Sequence, residues 1–121
     1  MTKCLQVQLQ EKLTKDNIRD IKNWSEQVFA RACIRKPNLE VEVQIPIGNS
    51  IIDFRVTNLE ADKSRLVEVT AAQELSGVQK KRKKRQQEAM DQSGGGVILM
   101  GENMVKIRRH IIDSGGDIYG I

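Results

Sequence analysis

Residues 51–70 read "IIDFRVTNLEADKSRLVEVT". Two runs, "IIDFRV" (51–56) and "RLVEVT" (65–70), are rich in β-branched and aliphatic residues and flank the polar "TNLEADKS". Both read as strands. Each carries one acid, Asp53 or Glu68, where a packed sheet favours a hydrocarbon. Side chains alternate along a strand. Ile52, Phe54 and Val56 are therefore expected on one face, with Ile51, Asp53 and Arg55 on the other. In the second run Leu66, Glu68 and Thr70 share a face, and Val67 and Val69 lie opposite. Once the two strands pair, Asp53 and Glu68 converge on one side of the sheet.

Either acid alone reads as an ordinary residue on a solvated strand face. Together they need an explanation, because neighbouring carboxylates repel unless a proton or a cation lies between them. A hard divalent ion such as Mg²⁺ fits, since it is bound by one or two carboxylates plus substrate phosphate.

Working outward, "LEVEVQIPI" (39–47) alternates through Val41, Val43 and Ile45, and "IGNS" supplies a turn, so a hairpin is expected. Upstream, Ile18, Ile21, Ser25, Val28, Phe29 and Ala32 recur at helical spacing. They predict an amphipathic helix over 16–35, ended at Pro37 and Asn38, with Trp24 used in packing. "CLQVQLQ" (4–10) suits a strand through Leu5, Val7 and Leu9, and a helix through Leu5, Leu9 and Leu13. Downstream, 75–91 has helical composition and "SGGG" (93–96) stops it. "GVILM" (96–100) is continuously apolar, the pattern of a strand buried on both faces. A second helix is expected over 103–113, closed by "SGGD", and "IYGI" offers a last short strand. The order is α-β-β-β-α-β-α-β. Its third strand, basic helix and "GVILM" strand form a βαβ unit with parallel strands and a right-handed crossover.

At 121 residues, with 39% hydrophobic and 30% charged residues, the chain suits one globular domain. No apolar run approaches the roughly 20 residues of a membrane span. "MTKCLQVQLQEKL" has no signal-peptide core. Cys4 and Cys33 lack metal or redox spacing and read as free thiols in a reducing, cytoplasmic setting. His110 reads as a surface or structural residue. "SGGG" follows a helix and precedes a strand, the reverse of a phosphate-binding P-loop. The net charge is +4, and "KKRKKR" (Lys80 to Arg85) places six cations in a row. Like charges one helical turn apart repel, so the run points to an anionic partner, nucleic acid first.

The element order over 16–100, with "IIDF" and "VEVT" on successive strands, resembles the PD-(D/E)XK nuclease superfamily. That resemblance implies a restriction-endonuclease-like core, a mixed sheet flanked by helices. It implies Asp53 and Glu68 as ligands of Mg²⁺ or Mn²⁺, and Glu26 of "NWSEQVFA" beside them. The activity implied is metal-dependent hydrolysis of phosphodiester bonds. The family's lysine falls at Thr70, whose hydroxyl is left to bond a water. In some members the lysine has moved to the following helix. Helical projection turns Val78, Arg82, Gln86 and Ala89 toward the sheet, with Lys83 flanking on one side and Lys81 and Arg85 on the other. Lys81, Arg82 or Lys83 is then the catalytic cation. Lys80 and Lys84 point outward, and Lys80 to Arg85 together form the nucleic-acid-binding face.

Two settings fit the resemblance: a small DNA-processing endonuclease, or a contact-dependent toxin domain that cleaves tRNA. A toxin domain acts in the target-cell cytoplasm and calls for an immunity partner, here an acidic one. A homodimer is a further open arrangement. The competing reading is a non-catalytic nucleic-acid-binding module of the same fold.

Overall fold

Leu39–Ile47 (β1) and Ser50–Asn58 (β2) form the expected hairpin, antiparallel and in register from Leu39 opposite Asn58 to Ile47 opposite Ser50. Lys63–Thr70 (β3) adds to β2 antiparallel, and Gly96–Met100 (β4) adds to β3 in parallel. The sheet order is β1-β2-β3-β4. Trp24–Ile34 (α1) precedes the sheet, Gly77–Gln92 (α2) joins β3 to β4, and Met104–Asp113 (α3) follows. This computed structural model describes residues 12–48, 50–70 and 77–117. The strand or helix expected over 4–10, Cys4 and the strand expected at "IYGI" lie outside the described residues. The fold is mixed α/β: a four-stranded mixed sheet with three helices. No helix among the described residues is long and apolar enough to cross a membrane.

The helix expected over 16–35 is broken. Ile18–Asp20 makes one 3-10 turn, and α1 begins only at Trp24. Asparagines cause the break, because their side chains bond the backbone locally and compete with helix. Asn17 Oδ1 accepts from the Thr14 N–H at 2.7 Å. Asn23 is extended and its Oδ1 accepts from the Glu26 N–H at 3.0 Å, capping α1. Trp24 is thus the first helical residue and 62% exposed, which corrects its expected place in the packing.

The main core lies between the sheet and the α1–α3 pair. Phe29, Ala32 and Cys33 of α1 and Met104 and Ile111 of α3 meet Val41, Val43, Phe54, Val56, Val67, Val69 and Leu99. The Phe29 and Phe54 rings stand 5.3 Å apart, tilted by 42°. Burial holds the Cys33 thiol far above its ordinary pKa, so this cysteine is an inert core residue. A smaller cluster of Ile45, Ile52, Leu66 and Met90 sits beneath α2.

Ile52 therefore does not share its side with Phe54 and Val56, as strict alternation predicts. The change happens at Gln44. Its φ of 57° is a left-handed conformation rare outside glycine, and it reverses the pleat of β1. The rungs on either side pair normally, Val43 with Phe54 and Ile45 with Ile52, while the one between them, opposite Asp53, is missing.

The βαβ unit is parallel as expected, with Val67 opposite Val97 and Val69 opposite Leu99. β4 is less enclosed than its composition predicts. Val97 reaches the main core and Ile98 the smaller one, but only Leu99 is buried, and among the described residues β4 ends the sheet on its side. Gly94 and Gly95, both at φ 104°, end α2, and the Gly95 N–H returns to the Met90 carbonyl at 2.8 Å.

Candidate active site

The β2–β3 ladder runs from Asn58 opposite Lys63 to Phe54 opposite Val67 and then stops. The next two residues in register are Asp53 and Glu68, and their side chains take over from the ladder. Glu68 Oε1 accepts from the Asp53 N–H at 3.0 Å, and Asp53 Oδ2 accepts from the Val69 N–H at 2.9 Å. Two backbone donors that would otherwise face an opening sheet are satisfied by two carboxylates. The kink at Gln44 lies on the strand beyond, opposite the same point.

α2 closes the other side. Lys83 Nζ donates to Glu68 Oε2 at 2.8 Å, and Gln86 Nε2 donates to the same oxygen at 3.1 Å. Both are charge-assisted bonds in a largely buried setting. Glu68 thus accepts from three donors on two elements.

Charge is crowded here. Burial, then the charges of Glu68 and Glu26, push the Asp53 carboxyl up to about 8, with the Val69 N–H opposing and a hydrogen bond to the Glu68 carboxyl adding to the rise. Burial, then Glu68, also raise Glu26, and Lys83 offsets part of that rise. In the absence of a metal, Asp53 therefore holds a proton against Glu68 near neutral pH.

The structure brings together Asp53, Glu68 and Lys83, and puts Glu26 within electrostatic reach of all three. Thr70 is buried at the end of β3. Of the three cations expected to reach inward, only Lys83 does so. Lys81 and Arg82 are exposed, as are Lys80, Lys84 and Arg85. α2 is rotated by part of a residue step from the helical projection: Val78, expected inward, is 77% exposed, while Gln86 and Met90 are buried. Gln86 is the site residue that sequence reasoning missed. Helical projection turns it inward, but a neutral amide beside six cations gives no signal of its own. His110 lies on α3, where Nε2 is 3.2 Å from the Asp117 carbonyl, in keeping with a structural role.

The donor set suits Mg²⁺ or Mn²⁺ in chemical type. Asp53 and Glu68 are hard oxygen ligands on facing strands, and their crowding is offset by Lys83, by Gln86 and by the backbone N–H groups they accept. Among the described residues, no three Asp, Glu, His or Cys side chains are grouped as ligands of one ion. The fit is therefore to an ion held by two carboxylates, with its remaining positions left to water and phosphate. Comparison with protein-family models, with curated proteins and with solved structures finds no match for this chain.

Proposed function

We propose that this chain is a metal-dependent nuclease of the restriction-endonuclease-like type, hydrolysing phosphodiester bonds of DNA or tRNA. The observation that carries the reading is Asp53 facing Glu68 at the end of the β2–β3 ladder, with Lys83 2.8 Å from Glu68. Asp53 and Glu68 would hold Mg²⁺ or Mn²⁺, which when bound acidifies water and offsets charge on the scissile phosphate. Lys83 supplies from α2 the cation that Thr70 cannot supply from β3. It orients Glu68 and places a fixed positive charge where negative charge grows during hydrolysis. Glu26 adds negative potential that favours a divalent ion over a proton at Asp53. Lys80, Lys81 and Lys84 hold the phosphate backbone without reading sequence.

The same reading covers a cytoplasmic DNA-processing enzyme and a toxin domain acting in a target cell, the latter with an acidic immunity partner covering the basic helix. One observation favours a second reading, a binding module without chemistry. Both oxygens of Glu68 are already engaged by protein donors.

The test is incubation of plasmid and of total tRNA with the protein in Mg²⁺, in Mn²⁺ and in chelator. Asp53→Asn serves as the control, because an amide keeps an acceptor for the Val69 N–H and a donor toward Glu68. Cleavage that requires metal and is lost in Asp53→Asn supports the nuclease. Binding with no cleavage in either metal establishes the module.

A further inference from the structure

Beside the carboxylates lies a groove of about 520 Å³, lined by Ser50 and Ile51 at the start of β2 and by Arg82, Arg85 and Gln86 of α2. It divides the basic run in a way the sequence does not show. Two of its cations, both arginines, face one concavity, and the remaining exposed cations are lysines that do not line it. Arginine presents a planar fork of donors suited to phosphate, where lysine offers a point charge.

Two further features tell what else the occupant carries. Ile51 is 49% exposed, an apolar surface set next to two guanidinium groups. Gln86 is only 4% exposed and spends its Nε2 on Glu68, while its buried Oε1 has no hydrogen-bond partner among the described residues. A buried acceptor without a donor is costly, and rotating the amide would lose the bond to Glu68. The occupant thus combines an anion, an apolar face and a hydrogen-bond donor.

We infer that this groove seats one nucleotide of a single strand. Its phosphate lies on Arg82 and Arg85, its base against Ile51, and a sugar hydroxyl or base amine donates to Gln86 Oε1. A base face becomes available to an aliphatic side chain only when it is unstacked, which favours a single strand over a duplex. Gln86 joins the groove to Glu68, so the nucleotide is held next to the carboxylate pair. The inference rests on the proposed function for the class of ligand and on the groove for its place.

The experiment is fluorescence anisotropy of the full chain in chelator, where nothing is cut. The probes are labelled ribo and deoxy strands of about eight nucleotides and a duplex of the same sequence. Wild type is expected to bind a single strand more tightly than the duplex. Arg82→Gln with Arg85→Gln should weaken single-strand binding about tenfold or more and lower the log–log salt slope by about 0.7, for the one phosphate the two arginines share. Ile51→Ser should weaken it several-fold with the slope unchanged. Lys80→Gln with Lys84→Gln should lower the slope for single strand and duplex alike. A ribose preference assigns the donor to the sugar, and equal affinity assigns it to the base; either supports the site when the arginines matter. The inference is overturned if the duplex binds as tightly as the single strand, or if the arginine and lysine pairs lose the same affinity and Ile51→Ser loses none. Failure of the nuclease reading looks different: binding follows this pattern, yet no metal supports cleavage.

Discussion

Asp53 and Glu68 face each other across β2 and β3, and each carboxylate accepts a backbone N–H that the interrupted ladder leaves unpaired. Glu68 takes the N–H of Asp53 itself, and Asp53 takes that of Val69. The acids are therefore structural and electrostatic elements at once. They hold open the strands that bring them together, and they pay for that position with mutual repulsion.

The repulsion has a pH signature. Burial and the neighbouring acids push Asp53 from its ordinary 3.8 up to about 8 in the folded chain. Between those values the folded chain keeps a proton that the unfolded chain releases. Stability from this group is thus complete below the lower value and is lost as pH rises through the upper one. The metal-free protein should lose on the order of 5 kcal/mol between those limits. Urea denaturation in chelator at a series of pH values checks this. Asp53→Asn should flatten the profile, and an unchanged slope in that variant would assign the dependence to another group.

A divalent ion should replace the proton. Mg²⁺ or Ca²⁺ added near the upper pKa should raise Tm, and chelator should reverse the rise, by the amount that ligand linkage gives. The gain should be smaller at acid pH, where the proton competes. Equal gains at both pH values would place the ion elsewhere on the surface.

Repulsion alone suggests that deleting Glu68 stabilises the chain. Its three donors argue the opposite. Glu68→Ala leaves Lys83 Nζ, Gln86 Nε2 and the Asp53 N–H without their acceptor. Breaking a largely buried pair by removing one partner costs about 3 kcal/mol or more, which outweighs relief at Asp53. Lower stability in Glu68→Ala than in Asp53→Asn, measured by urea midpoint at neutral pH, is the expected result. A stabilised Glu68→Ala would show that carboxylate repulsion dominates.

Periodicity made the hairpin, β3, the α2 crossover and β4 legible, because each is a short pattern whose buried positions recur at one spacing. The pairing of Asp53 with Glu68 followed from that alternation. What stayed hidden was set by single residues acting against the pattern. Asn23 starts α1 late because its side chain caps the helix. Gln44 reverses the pleat and moves Ile45 and Ile52 beneath α2. The choice among Lys81, Arg82 and Lys83 depended on how α2 is rotated, and that rotation is fixed by Met90 meeting Leu66, a tertiary contact with no local signature.

Gly96 tests that contact. A Cβ there would lie 2.6 Å from Met90 Sδ and 2.8 Å from both Met90 Cβ and the Leu66 carbonyl oxygen. Met90 Cβ is carried on the α2 backbone and the Leu66 oxygen on β3, so Gly96→Ala must push both α2 and β3 away from β4. Overpacking of this kind costs about 1–3 kcal/mol. Met90 is one turn beyond Gln86 and nearly two beyond Lys83, so the same shift should loosen both bonds to Glu68. Gly96→Ala is expected to lower cleavage as well as Tm, with part of both recovered in Gly96→Ala combined with Met90→Ala. Full activity in the destabilised single variant would separate α2 packing from the site.

Lys83 carries the sharpest mechanistic prediction. It alone of the six consecutive cations is bonded to Glu68, and its charge is what opposes the rise in the Glu26 pKa. Lys83→Met keeps most of the stem and removes the charge. Loss of one preorganised charge at a reacting centre typically costs about 10²–10³ in kcat, and that is the loss expected for cleavage. Glu26 should titrate higher still, followed by carboxyl-carbon NMR, a readout that does not depend on turnover. Lys81→Ala is the contrast. It lies exposed on the same helix, so its loss should reduce the salt slope of binding by about 0.7 on single strands or 0.9 on duplex, with kcat nearly unchanged. Nucleic-acid affinity in Lys83→Met should fall little, because its ammonium is committed to Glu68 rather than to phosphate. If Lys83→Met cuts as fast as wild type while Lys81→Ala does not, the catalytic cation comes from the outer face of α2, and Lys83 is a structural partner of Glu68.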